Sequence, residues 1–182
     1  VAPVTQKAIF GFGDTGSVTG ITNLVSSSGV VASDVSAVGT ARDSLSACSY
    51  GFDKAIFAYG SPGSSSGGAS NLVNSSGVVA TDVTRVGTGR ISAGGATYGG
   101  DKGIFAYGYN TDASANQNLS NLVTNVGVVG SDVTGVGTAR RDVQGAEYGG
   151  DKAIYAYGFT SAAVSMSNLV TNVGVVAVNN LL

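Results

Sequence analysis

Lys54-Ala55-Ile56-Phe57-Ala58-Tyr59-Gly60 is the stretch of sequence that decides the fold, because nearly the same seven residues occur four times in the chain. The four copies begin at Lys7, Lys54, Lys102 and Lys152, so that consecutive copies lie 47, 48 and 50 residues apart. Repetition at such a period is typical of proteins built from one supersecondary unit that stacks on copies of itself.

The repeated run has the composition of a buried β-strand. Side chains alternate between the two faces of a strand. This alternation predicts Ala55, Phe57 and Tyr59 on one face and Ile56 and Ala58 on the other, and both faces are apolar. The run, named strand b here, is therefore predicted to lie between two layers of the protein.

Other short sequences recur in step with strand b. Asn-Leu-Val (strand c) begins at Asn23, Asn71, Asn121 and Asn168, Gly-Val-Val begins at Gly29, Gly77, Gly127 and Gly174, and Val-Gly-Thr begins at Val38, Val86 and Val136. Strand d is predicted to run from Gly-Val-Val to Val-Gly-Thr, and strand a from the following arginine to the next Tyr-Gly. The chain is thus interpreted as one repeat domain, residues 1–182, with units of about 6–52, 53–100, 101–150 and an incomplete 151–182.

Composition narrows the class of protein further. Hydrophobic residues make up 43% and charged residues 11%, which is too apolar and too weakly charged for a disordered chain. With 29 glycines but only 2 prolines, and no three-residue glycine period, the chain is not collagen-like. A net charge of −2 argues against a nucleic-acid partner. No apolar run reaches the roughly 20 residues that span a bilayer, so no membrane insertion is predicted.

Four-stranded units of about fifty residues predict an all-β fold, a β-propeller with one blade per unit. Strand a is rich in small residues, which suits strands that converge near a central axis. The predicted core consists of the apolar residues of strand b: Ile9, Phe10, Ile56, Phe57, Ile104, Phe105, Ile154 and Tyr155.

The order arginine, small residues, Tyr-Gly and then Asp-Lys-Ala-Ile-Phe-Ala-Tyr-Gly resembles the kelch repeat. This resemblance implies a kelch-like propeller. The chain departs from the kelch pattern because it has no tryptophan, and because Tyr59-Gly60 and its equivalents stand where kelch repeats have a glycine pair. The same sequence is also similar to tandem repeats of bacteriophage virion or fibre proteins and bacterial surface proteins, which implies a virion or extracellular location.

No enzymatic site, metal site or cofactor is predicted. The chain has no histidine, which excludes Ser-His-Asp and Cys-His arrangements and histidine metal ligands. Charges that recur at the same repeat position are interpreted as structural ion pairs or turn caps. They are Asp34, Asp82 and Asp132, then Arg42, Arg90 and Arg140, and also Asp53, Asp101 and Asp151, each of which a lysine follows. Cys48 is interpreted as a small buried hydrophobic residue.

The loops between strands b and c differ in sequence and length, although everything around them is nearly copied. They are predicted at 14–22, 61–70, 109–120 and 159–167. Variable loops on a rigid scaffold often bind ligands. The alternative, that these loops merely tolerate sequence drift, is favoured over binding. The longest loop supplies the candidate glycan-binding residues: Tyr109, Asn110, Asp112, Asn116 and Gln117.

Four functions are weighed on this basis. The favoured one is a non-enzymatic structural or assembly module of a virion, tail fibre or extracellular surface structure. The alternatives are a lectin-like adhesin or phage receptor-binding module, an intracellular kelch-type interaction scaffold, and an enzyme. Expected partners are further copies of the chain or other virion and surface proteins, with glycans as an alternative.

Strand a is predicted only three times, whereas strands b, c and d are each predicted four times. Either residues 1–5 supply the fourth strand a and close a small ring, or the chain is a partial propeller that oligomerisation completes. The second is favoured, because the segment contains a proline, which pairs poorly in sheets, and does not resemble strand a. Self-association through exposed apolar edges is therefore expected.

Overall fold

The computed structural model describes residues 8–181, and in that part of the chain all regular secondary structure is β-strand. The strands are β1 (Ala8–Asp14), β2 (Val18–Val25), β3 (Ser46–Tyr50), β4 (Lys54–Tyr59), β5 (Ala69–Val73), β6 (Val83–Thr84), β7 (Gly94–Tyr98), β8 (Lys102–Ala106), β9 (Tyr109–Asn110), β10 (Ala115–Asn116), β11 (Ser120–Val123), β12 (Gln144–Tyr148), β13 (Lys152–Ala156), β14 (Met166–Val170) and β15 (Asn180–Leu181).

These strands form small antiparallel sheets, one after another along the chain. Sheet I contains β1 and β2, sheet II contains β3-β4-β5-β6, sheet III contains β7-β8-β11, and sheet IV contains β12-β13-β14-β15. Strands β9 and β10 form a separate hairpin in the b–c loop of sheet III. The predicted order a-b-c-d is observed in sheets II and IV. Each strand a pairs with the strand b that follows it, so a sheet begins one strand earlier than the units defined on the sequence.

Strand d is much shorter than predicted. In sheet II it contains only Val83 and Thr84, and in sheet III it is reduced to isolated bridges. The reason is a side chain that replaces part of the backbone ladder: the amide of Asn71 donates to the carbonyl oxygen of Ala80 at 3.0 Å, and Asn121 does the same to Gly130. Because the asparagine already binds strand d, few backbone pairs are needed there.

The hydrophobic core lies in three layers between consecutive sheets. We call the face on the side of the next sheet the front face, and the face on the side of the preceding sheet the back face. The front faces contain Tyr50, Ile56, Tyr59 and Leu72 in sheet II, Tyr98, Ile104, Tyr107 and Leu122 in sheet III, and Tyr148, Ile154, Tyr157 and Leu169 in sheet IV. The back faces contain Phe10, Val25 and Val31 in sheet I, Phe57, Val73 and Val79 in sheet II, Phe105, Val123 and Val129 in sheet III, and Tyr155, Val170 and Val176 in sheet IV.

The prediction that Tyr59 shares a face with Phe57 is wrong. Phe57 packs toward sheet I, whereas Tyr59 packs toward sheet III, against Phe105. The backbone explains the difference, because Tyr59 has a φ of 65°, which reverses its side chain relative to strict alternation. The equivalent aromatic residues, Phe12, Tyr107 and Tyr157, have the same left-handed conformation.

The predicted core is buried in the middle of the stack and exposed at its ends. Ile56, Phe57, Ile104, Phe105 and Tyr155 are buried as expected. Phe10 is 65% exposed, contrary to the prediction, and Ile9 and Ile154 are only partly buried. Phe10 lies on the back face of sheet I and Ile154 on the front face of sheet IV, and no other described sheet covers either face.

Consecutive sheets approach most closely through strand a. The hydroxyl of Ser46 donates to the carbonyl oxygen of Ala93 at 2.5 Å. A side chain at Gly95 would overlap the carbonyl oxygen of Ala47, and one at Gly145 would overlap that of Gly95, so only glycine permits this approach. Among residues 8–181 no hydrogen bond joins sheet I to sheet IV, so the described sheets form an open row.

None of the described residues forms a helix long and apolar enough to cross a membrane.

Candidate functional site

The recurring arginine lies four residues before strand a, and its side chain is completely buried. In sheet II, Arg42 donates from Nε to the carbonyl oxygen of Tyr59 at 2.9 Å and from Nη1 to that of Thr40 at 3.0 Å. It also donates from Nη2 to Oδ1 of Asn71 at 2.6 Å. One guanidinium thus ties together the entry to strand a, the end of strand b and the middle of strand c.

The same asparagine also hydrogen-bonds an aspartate beside strand d. Nδ2 of Asn71 donates to Oδ1 of Asp82 at 2.9 Å. Oδ2 of Asp82 in turn accepts hydrogen bonds from the backbone N–H and the hydroxyl of Thr40, at 2.9 and 2.7 Å. Arg42 and Asp82 lie 4.0 Å apart at their nearest charged atoms. The network closes on itself, since Thr40 also accepts from Arg42.

This network is named the arginine socket, and it occurs in three sheets. Its members are Thr40, Arg42, Asn71 and Asp82 in sheet II, Thr88, Arg90, Asn121 and Asp132 in sheet III, and Thr138, Arg140, Asn168 and Asn179 in sheet IV. Sheet III differs in one bond, because Nε of Arg90 has no acceptor.

Each arginine also covers an aromatic ring of the preceding sheet. The guanidinium carbon of Arg42 lies 4.2 Å from the ring centre of Phe12, that of Arg90 lies 4.3 Å from Tyr59, and that of Arg140 lies 4.1 Å from Tyr107. These are cation–π contacts between sheets. The left-handed backbone of the aromatic residue turns its ring toward the next arginine. The sockets and rings therefore form a continuous ladder that links sheets I to IV.

Burial and charge oppose each other in the sockets. Burial lowers the pKa of Arg42 and of Arg90. Asp82 partly offsets this effect for Arg42, and Tyr59 and then Asp132 partly offset it for Arg90. Burial also works against the charge of Asp82 and of Asp132, yet the hydrogen bonds from threonine and asparagine and the arginine charge lower the pKa of both carboxyl groups overall. Both aspartates are therefore held as carboxylates at neutral pH.

Sheet IV shows that the socket also forms without the aspartate charge, because Asn179 stands in the aspartate position and bonds the same asparagine and threonine. Oδ1 of Asn179 accepts from Asn168 at 3.0 Å, and its amide donates to the hydroxyl of Thr138 at 2.7 Å. We expect Asp82→Asn with Asp132→Asn to cost less than about 1 kcal/mol at pH 7, since the ion pairs are partly solvated.

At acid pH, the stability of the double variant should differ from that of the parent chain. A carboxylate whose pKa is lower in the folded state stabilises that state fully above the unfolded pKa, and this stabilisation is lost as the pH falls through the folded value. The parent should therefore lose more stability than the double variant below about pH 4. Urea unfolding followed by tyrosine fluorescence at pH 7, 4 and 3 measures this, with exposed Asp112→Asn as control. Equal acid sensitivity of parent and double variant would contradict it.

The recurring arginines and aspartates contact one another and the protein backbone. Arg42, Arg90 and Arg140 have no exposed surface, and Asp82 and Asp132 lie beside them. Asp34 holds the equivalent place in sheet I, where it accepts from Asn23 at 2.9 Å. The sequence interpretation missed the asparagine of strand c. Its recurrence in all four units, in a strand that disfavours asparagine, was the available signal.

The candidate glycan-binding residues are near one another, but several are already bonded. The guanidinium carbon of Arg141 lies over the ring of Tyr109, 5.1 Å from the ring centre. Oδ1 of Asn110 caps the hairpin turn through the N–H of Ala113, and the amide of Gln117 donates to the carbonyl oxygen of Ala115. Asp112 is exposed at the tip of the β9–β10 hairpin.

Asn116 joins the longest loop to the loop of sheet IV. Its amide donates to the carbonyl oxygens of Phe159 and Thr160, at 3.4 and 3.2 Å, while its buried Oδ1 has no partner. On the other side, the N–H of Ser66 donates to the hydroxyl of Thr111 at 2.5 Å. The b–c loops of sheets II to IV therefore lie side by side on one rim. The predicted first loop is a tight turn, since β1 extends to Asp14 and β2 begins at Val18.

Groups with reactive chemistry are few in the part of the chain that the structure describes. Within residues 8–181 no cluster of three or more acidic, cysteine or histidine side chains could hold a metal ion. Burial raises the pKa of the Cys48 thiol to about 12, so it stays protonated at neutral pH. A small pocket beside Tyr59 and Arg85 has room for about one water molecule.

Comparison with known proteins does not assign the chain to a family. No protein family model matches the chain, and no curated protein matches it.

Proposed function

We propose that the chain is a non-enzymatic structural or assembly module, acting in a virion, a tail fibre or another extracellular surface structure. One observation supports this most strongly. The two end sheets expose the same side chains that the inner sheets use to bind one another. A protein whose ends repeat the chemistry of its internal interfaces can add further units of its own kind.

Aromatic side chains that are buried between the inner sheets are exposed at the equivalent positions of the two end sheets. On the front face of sheet IV, Tyr157 is 57% exposed, whereas the equivalent Tyr107 of sheet III is 0% exposed. On the back face of sheet I, Phe10 is 65% exposed, whereas the equivalent Phe105 is 0% exposed. Sheet IV thus presents a front face and sheet I a back face, which are the two halves of each internal interface. Head-to-tail self-association is the partner relationship that this arrangement supports.

We also propose that the sheets are blades of a kelch-like β-propeller, with the described row forming an arc of it. The small residues of strand a support this proposal, because Gly95 and Gly145 let the inner strands approach closely. The strand order a-b-c-d, with the short strand d outermost, is that expected of a blade. Other units of the same kind would then continue the arc.

The proposed role is tested by locating the chain in its source. Mass spectrometry and immunogold electron microscopy of purified virions, fibres and washed cell surfaces should find it there in many copies. Recovery only from the cell interior, bound to an unrelated protein, would reject this role and favour an intracellular scaffold.

A lectin-like adhesin or receptor-binding module is a second candidate, supported by the rim that the b–c loops of sheets II to IV form together. We expect replacement of residues 111–114 by a two-residue turn to abolish glycan binding, because the exposed Asp112 is removed while the hairpin pairing of Tyr109 with Asn116 is kept. Glycan-array binding of parent and shortened chain measures this, with circular dichroism to check folding. Unchanged glycan binding by the shortened chain would exclude this loop.

A further inference from the structure

Sheet I has the acidic half of an arginine socket but no arginine. Nδ2 of Asn23 donates to Oδ1 of Asp34 at 2.9 Å and to the carbonyl oxygen of Ala32 at 3.1 Å. The equivalent bonds of Asn71 to Asp82 and Ala80 measure 2.9 and 3.0 Å. The two sites are therefore built alike, although only the second contains a guanidinium.

No arginine of this chain is placed to fill the site in sheet I. The five arginines are Arg42, Arg85, Arg90, Arg140 and Arg141. Three of them occupy the sockets of sheets II, III and IV, Arg85 donates to the loop carbonyls of Ser66 and Gly67, and Arg141 covers Tyr109 and Phe159. Asn23 is accordingly partly exposed, whereas the equivalent Asn71 is fully buried.

Beside the site, one edge of β1 has no partner among the described strands. In sheets II to IV strand b pairs on both sides, with strand a and with strand c. Strand β1 pairs only with β2 among the described strands. The inner sheets show what lies at this edge when it is occupied: a strand of small residues that follows Val-Gly-Thr-x-Arg in the sequence. The edge and the acidic site are thus complementary to one and the same kind of segment.

We infer that sheet I is a binding site for an arginine-bearing β-strand of this type, supplied by another polypeptide. Its strand pairs with β1, its arginine binds Asn23 and Asp34, and its threonine binds the Asp34 carboxylate, as Thr40 binds Asp82 in sheet II. Such strand addition is a recurrent mode of protein recognition. The inference rests on the proposed assembly role, because it names the segment through which a neighbouring protein would attach.

The arginine of the added strand would also meet the other end of the row. In each inner interface the arginine binds the socket of its own sheet and covers the aromatic ring of the sheet before it. Tyr157 is the ring at the front of sheet IV, and it is exposed. One arginine-bearing strand could therefore sit between sheet I of one copy and Tyr157 of another. Strand addition would then strengthen head-to-tail contact between copies.

A peptide with the sequence of residues 86–99 provides the probe, because this segment contains Val-Gly-Thr, Arg90 and the whole of strand β7. We expect the fluorescein-labelled peptide to bind the 182-residue chain in an anisotropy titration. A peptide with methionine in place of the arginine should bind at least about tenfold more weakly, because it loses charged hydrogen bonds. In the chain, Asp34→Asn should weaken binding, whereas Asp112→Asn at the exposed tip of the β9–β10 hairpin, far from sheet I, should not.

Hydrogen exchange provides an independent readout of where the peptide binds. Bound peptide should protect the amides of β1 that face the free edge and leave the amides of sheets II and III unchanged. Equal affinity of the arginine and methionine peptides, or no binding of either, would overturn the inference. Neither result decides the proposed assembly role, since the chain could still self-associate through its apolar end faces, which the concentration dependence of its mass measures separately.

Discussion

Arg42→Met is expected to lower the free energy of unfolding by about 3–5 kcal/mol. Methionine fills part of the space but leaves the buried carbonyl oxygen of Tyr59 and the buried Oδ1 of Asn71 without their guanidinium donor. It also removes the cation–π contact with Phe12, which holds sheet II against sheet I. Urea unfolding monitored by circular dichroism measures the loss, with a native-state spectrum to confirm that the variant folds.

Two other arginines serve as matched controls. Arg141→Met should cost less than about 1 kcal/mol, because that side chain is one-third exposed. Its contacts are stacking on Tyr109 and Phe159 and a surface ion pair with Asp142. Arg90→Met should cost about 1 kcal/mol less than Arg42→Met, because Nε of Arg90 has no acceptor to lose. Similar small losses for Arg42 and Arg141 would show that the sockets do not hold the sheets together.

Phe57→Ala should destabilise the chain by about 3–5 kcal/mol, the range measured for fully packed aromatic side chains. Phe57 is buried between sheets I and II and packs edge-on against Phe12, with ring centres 5.2 Å apart. The substitution would leave a cavity in this layer, because the neighbouring backbones are fixed by strand pairing. The same urea titration measures it.

The chain contains its own control at the same repeat position. Phe10 occupies in β1 the place that Phe57 has in β4, but it is exposed on the back face of sheet I. Phe10→Ala should therefore change stability by less than about 0.5 kcal/mol in a dilute monomer. If Phe10→Ala and Phe57→Ala cost the same, the back face of sheet I is covered and does not form an open end.

Much of the architecture could be predicted because the same sequence pattern recurs in every unit. The copies of strand b, with apolar residues on both faces, were enough to predict an all-β chain with strand b inside layered sheets. The small residues of strand a, such as Gly95, predicted a close approach between strands. These are local properties of composition and spacing, and they survive in each copy independently of its neighbours.

Other features depend on relations between copies and could not be predicted. The reversed side chain of Tyr59 arises from a left-handed backbone that alternation does not reveal. The bonding of Arg42 to Asn71 joins residues that are 29 positions apart, and strand d shortens because of that network. Phe10 matches Phe57 in sequence, and only the position of sheet I at the end of the row makes it exposed.

The functional assignment depends most on the open ends of the row. Light scattering on the 182-residue chain, over roughly a hundredfold range of concentration, tests this directly. The mass should rise above the 17.9 kDa of one chain as concentration increases. Leu169→Glu on the front face of sheet IV should keep the chain monomeric. Val78→Glu lies at an exposed site outside both end faces, and this variant should associate as the parent chain does. A parent chain that stays at 17.9 kDa throughout the range would contradict the assembly role proposed here.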